Sequence, residues 1–180
     1  MLFLALDISK SQTGWASWET GTPKPRIGHF KCGNEFSSDG MCQDVLWRNI
    51  SDICAFGLPD VMAVEAPSDA SKWKGGRPFG YTKTLIRLSG AAWFFAHNKG
   101  IRRFSEIEKN FWFPHFIGTN KRPPKGEQKT YCIKQCEDLG IKTENNDQAD
   151  AVGILDYMVH LEGIIPPWRQ ANILTRELGR

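Results

Sequence analysis

Leu2-Phe3-Leu4-Ala5-Leu6-Asp7 opens the chain with five apolar residues followed by an acid. The run is too short for an uncapped helix, and apolar side chains at every position mark a strand buried on both faces. A carboxylate at the end of such a strand is costly unless paired or liganded. The pattern recurs in Val61-Met62-Ala63-Val64-Glu65. Between the two runs, Val45, Leu46, Ile50, Ile53 and Cys54 trace a helical stripe, closed by Gly57-Leu58-Pro59. Strand, helix, strand, with a carboxylate ending each strand, predicts neighbours in one sheet that bring Asp7 and Glu65 together.

The remaining segments arrange themselves around this pair. Ser9 to Gly14 is a polar turn, Trp15-Ala16-Ser17-Trp18 a second strand, and Thr22-Pro23-Lys24-Pro25 a turn into a third strand over 27–32, giving an antiparallel meander. Residues 67–80 are too rich in glycine and proline for regular structure, and a loop directly after a strand end is a common seat of function. A long helix over 81–98 carries an apolar belt at Leu85, Leu88, Ala92 and Phe95. The additional Trp93-Phe94 pair exceeds what one face needs, so it is either core or a partner surface. A short strand over 101–104, a short helix or turn over 106–113, a basic loop over 117–126 and a helix over 127–139 follow. The tail over 164–180 either docks as a short helix or stays mobile. One domain over 1–162 with an extension over 163–180 is the expected organisation.

The last helix, over 147–161, starts at Asn146-Asp147-Gln148-Ala149-Asp150. Asp147 and Asp150 stand three residues apart and share a helix face. Two such acids repel, and a bound divalent cation offsets that far better than the helix amino end; in isolation the pair is weak evidence, and an ordinary capping acid followed by a solvated one explains it better.

Charge is segregated along the chain. Residues 72–134 carry 14 basic and 3 acidic side chains, whereas 1–71 carry 5 and 9 and 135–180 carry 4 and 8. The basic third is interleaved with Trp73, Phe79, Tyr81, Phe111 and Trp112, a pattern suited to a nucleic acid rather than to a merely solvated face. Five cysteines without a CxxC pair argue against a disulfide framework and a zinc knuckle; Cys132 and Cys136 read as core. No apolar run approaches the roughly 20 residues that span a bilayer, and a cytoplasmic protein without a membrane partner is expected. His29, His97, His115 and His160 read as structural.

In order and spacing these blocks resemble the ribonuclease H-like superfamily, and within it the RuvC family of Holliday junction resolvases. The resemblance is carried by Leu4-Ala5-Leu6-Asp7-Ile8-Ser9 with Thr13-Gly14-Trp15-Ala16, by Pro59-Asp60-Val61-Met62-Ala63-Val64-Glu65, by Gly126-Glu127-Gln128-Lys129, and by Asp147-Gln148-Ala149-Asp150-Ala151. It implies an α/β ribonuclease H-like fold, a central mixed five-stranded sheet flanked by helices. It also implies Asp7, Glu65, Asp147 and Asp150 as catalytic carboxylates holding two Mg²⁺ ions, with Mn²⁺ able to substitute. Lys129, and less directly Lys125, would stabilise charge at the scissile phosphate. Lys72, Trp73, Lys74, Arg77, Phe79, Lys121, Arg122, Lys125 and Lys129 would contact branched DNA, and the 81–98 helix would form a homodimer interface. Ile8-Ser9 stands where the family has Pro-Gly. Two other functions stay open: a ribonuclease H-like nuclease on hybrids, flaps or forks, and a non-catalytic junction-binding protein.

Overall fold

The computed structural model describes residues 1–67, 79–118, 124 and 127–170, the side chains of Phe79 and Lys129 excepted. Five strands, β1 (Leu2–Asp7), β2 (Thr13–Glu19), β3 (Arg26–Phe30), β4 (Val61–Glu65) and β5 (Arg103–Ile107), form one sheet in the order β3-β2-β1-β4-β5. The β1–β2 and β2–β3 pairs are antiparallel, whereas β1–β4 and β4–β5 are parallel. The two runs that end in acids are the centre of this mixed sheet. Leu6 pairs with Val64, so Asp7 and Glu65 leave the same edge side by side.

Helices cover both faces: α1 (Asp39–Ile53), α2 (Phe79–Asn98), α3 (Lys109–Ile117), α4 (Gln128–Asp138) and α5 (Asn146–Leu161), with a 3-10 turn at Cys54–Phe56. The two-residue period of the strands divides the core. Leu4, Leu6, Met62 and Val64 face Leu46, Ile50, Leu88, Ala92 and Phe95 of α1 and α2. On the other face Phe3, Ala5, Ala16, Trp18 and Ala63 meet α3, α4 and α5.

Ala16, Ala5 and Ala63 lie in register across β2, β1 and β4. This row of small side chains is a trough in which α5 lies, itself contributing Ala149, Ala151, Val152, Ile154 and Leu155 to the same core. Close approach by α5 fixes where its first turn, and hence Asp147 and Asp150, can sit. Gly14 shows how tight the fit is, since a Cβ there would fall 1.9 Å from the Asp147 carbonyl oxygen.

Several boundaries differ from the sequence reading for identifiable reasons. The strand expected over 101–104 runs Arg103–Ile107, because Gly100 (φ 75°) and Ile101 close α2, the Ile101 N–H donating to the Ala96 carbonyl, while Glu65 pairs with Ile107 farther on. The turn or helix expected over 106–113 is α3, beginning only after β5 ends. Trp112, grouped with the nucleic-acid aromatics, is fully buried in the core on Gly153 and Phe113.

The C-terminal extension docks as far as it is described, with a helical turn over 167–170. Asp156, almost wholly buried, accepts from Trp168 Nε1 at 2.8 Å and from Arg169 at 2.7 Å, with His115 Nε2 at 3.2 Å. Trp168 also packs edge-on against Trp18. These bonds, from His115 and then Arg169, hold the Asp156 carboxyl below its ordinary range although burial works the other way.

Candidate metal centre

Asp7, Glu65, Asp147 and Asp150 reach one end of the sheet by three different routes. Asp7 and Glu65 are the last residues of adjacent parallel strands. Asp147 and Asp150 sit in the first two turns of α5, whose start is fixed by the sequence around it. Asn145 caps the helix, its side chain accepting from the Gln148 N–H at 2.9 Å, and Gln148 Oε1 accepts from the N–H of Glu144, the residue before the cap, at 2.8 Å. The side-chain amides of Gln148 and Asn145 then lie 2.9 and 3.2 Å from His29 Nδ1 on β3, tying α5 to the meander.

The other three acids act on Asp7. The Asp7 carboxyl is pushed well above its ordinary range, first by burial, then by the charges of Glu65 and Asp150 and, more weakly, Asp147. Lys109, the first residue of α3, opposes this shift. Its Nζ donates to Asp150 Oδ2 at 2.9 Å, and against the lowering effect of its own burial the acids Asp150, Glu65 and Asp7 hold its pKa up. The ammonium also lies 5.0 Å from the Trp112 ring and 5.7 Å from the Phe113 ring.

Among the described residues no group of three or more His, Cys, Asp or Glu side chains is drawn together closely enough to hold a metal ion as it stands. The donor chemistry nonetheless suits a hard divalent cation. All four groups offer carboxylate oxygens, and Asp150 Oδ1 is buried without a hydrogen-bond partner, an arrangement that a cation would relieve. Cys132 borders the cluster as a thiol, hydrogen-bonded to Asp150. Burial, then the Asp150 charge, raises Cys132 and pushes Cys136 up to about 12, so both remain thiols in the core.

Among solved structures, the chain is similar to T. thermophilus RuvC in complex with a Holliday junction substrate, with TM-score 0.66 and 15% identity over 90% of this chain and 96% of that one. It is also similar to a second Thermus thermophilus RuvC structure, with TM-score 0.64 and 14% identity over 91% and 97%. The fold is that of RuvC. No protein-family model and no curated protein sequence matches the chain.

The expected site residues divide sharply within this RuvC fold. The four acids share the carboxyl edge of β1 and β4. Lys129 lies in the first turn of α4, its side chain outside the described set. Phe79 begins α2 on the same terms, and Lys72, Trp73, Lys74, Arg77, Lys121, Arg122 and Lys125 lie outside the described residues. Two contributors to the site were not singled out in the sequence. Lys109 joins Asp150 across 41 positions, and its only sequence signal was membership of the basic third. His29, expected to be structural, holds the first turn of α5 through Asn145 and Gln148.

Proposed function

We propose that the chain is a Mg²⁺-dependent, structure-selective DNA endonuclease that resolves four-way junctions by phosphodiester hydrolysis. The observation that carries this reading is the gathering of Glu65, Asp147 and Asp150 around Asp7, close enough for their charges to act on it, at the carboxyl edge of a RuvC-like sheet. Asp7, on the central strand and acted on by the other three, would hold the metal together with Glu65, Asp147 and Asp150. Paired Mg²⁺ would supply an activated water and a counter-charge for the departing 3′ oxygen. The protein's own part is to hold the carboxylates in place through the β1–β4 pairing and the capped start of α5, and to bring cationic groups to the phosphate. Lys109, which donates to Asp150, would be one such group and Lys129 the second.

Two further elements complete the proposal. The basic stretch 72–134 would hold the DNA backbone, with Trp73 and Phe79 stacking on bases. A homodimer through α2 would present two sites to the two strands of a two-fold junction. What supports it is an exposed stripe on α2: Ile86, Trp93 and Phe94 are each more than half exposed and fall on one side of the helix, opposite the buried Leu88, Ala92 and Phe95. Incubation with matched four-way junction, fork, RNA:DNA hybrid and linear duplex in Mg²⁺ tests the assignment. Preferential paired nicking of the junction is expected, and preference for the hybrid or the fork would replace the substrate.

A further inference from the structure

Lys109 stands where local preference disfavours a cation. It opens α3, and the amino end of a helix carries about half a positive charge that favours acids there. Its ammonium is nevertheless fixed from two sides, by Asp150 Oδ2 at 2.9 Å and by the faces of Trp112 and Phe113. Trp112 cannot readily move aside, since it is fully buried and lies so close to α5 that a Cβ on Gly153 would fall 2.5 Å from its ring. The charge thus held acts on Asp7 and Glu65 as well as on Asp150. A side chain placed against its helix dipole, clamped by a core tryptophan and shared among three acids, is doing the work of a cation in that cluster.

We propose that Lys109 is a resident counter-cation of the acid cluster, which a divalent metal must displace from Asp150 in order to bind. The proposal rests on the metal reading above and adds to it an exchange. Metal-free protein stays folded because Lys109 offsets the repulsion among the carboxylates. Metal affinity is correspondingly lower than four carboxylates alone would give, because the incoming ion meets a positive charge already in place.

The test is Mn²⁺ binding without DNA, by titration calorimetry, on the wild type, Lys109→Met and Lys109→Arg. Lys109→Met keeps the length of the side chain and removes its charge; it should bind Mn²⁺ about tenfold or more tightly than wild type. It should also melt at a lower temperature in EDTA and gain more from added Mn²⁺, while Lys109→Arg stays near wild type. Equal or weaker binding by Lys109→Met overturns the exchange and leaves the metal reading intact. Failure of all three proteins to bind Mn²⁺ overturns the metal reading and the exchange with it. Should Lys109→Met not fold in EDTA, acylation of wild-type lysines read by peptide mass spectrometry gives the answer directly. Labelling at Lys109 should rise severalfold on saturation with Mn²⁺, and an unchanged level refutes displacement.

Discussion

Gly14, at the site, and Asp156, beneath the C-terminal extension, show how much depends on single side chains, or on the lack of one. Gly14 pairs with Asp7 across β1 and β2 while its Cα faces the Asp147 backbone, so the absence of a Cβ lets two of the four acids approach. Because the obstructing atoms are backbone, Gly14→Ala cannot be absorbed by a rotamer change. It should cost about 1–3 kcal/mol in urea unfolding and displace the first turn of α5, with a larger loss in cleavage than stability alone explains. Asp156 anchors Trp168 and Arg169 from the core. Its folded pKa is depressed, so its contribution to stability is complete above the ordinary carboxylate range and is lost as pH falls through the lower folded value. Asp156→Asn should therefore lower stability by about 3–5 kcal/mol at pH 7, with the gap from wild type closing below roughly pH 4. Denaturant melts across that range measure it, and a gap constant with pH would show that the charge of Asp156 is not what holds the extension.

At the scale of elements, the strands were legible because burial on both faces of β1 and β4 leaves uninterrupted apolar runs, and each run ends where its carboxylate leaves the sheet. The start of α5 was nearly so, since Asn145 and Gln148 cap it locally. What stayed hidden was determined over long range. Nothing near Trp112 distinguishes a core tryptophan from a base-stacking one; Gly153, on α5, decides it. Lys109 likewise acquires meaning only from Asp150. The surplus of aromatics on α2 was visible, and the structure divides it into a buried row and an exposed one. If the exposed row joins two copies, Trp93→Glu should weaken the dimer by about 2 kcal/mol or more, near 30-fold, without unfolding the monomer. Sedimentation over a concentration series reads this, and a wild type that stays monomeric at high concentration would remove the interface from the account.

For the whole molecule, the proposed function gives the acid cluster and the basic third complementary tasks: one would hold metal, the other would counter the phosphates brought near it. Residues 72–134 carry 14 basic side chains, so junction affinity should fall steeply and linearly in log–log terms as salt rises. A flat dependence would mean that these charges face solvent. The central claim, that Asp7 and its three acidic neighbours form a metal-dependent nuclease site, is met most directly by incubating wild type and Asp7→Asn with a synthetic four-way junction in Mg²⁺ and in EDTA. Wild type should make paired nicks in Mg²⁺ only, and Asp7→Asn none, although it should still bind the junction. Cleavage by Asp7→Asn at the wild-type rate, or by wild type in EDTA, would contradict it.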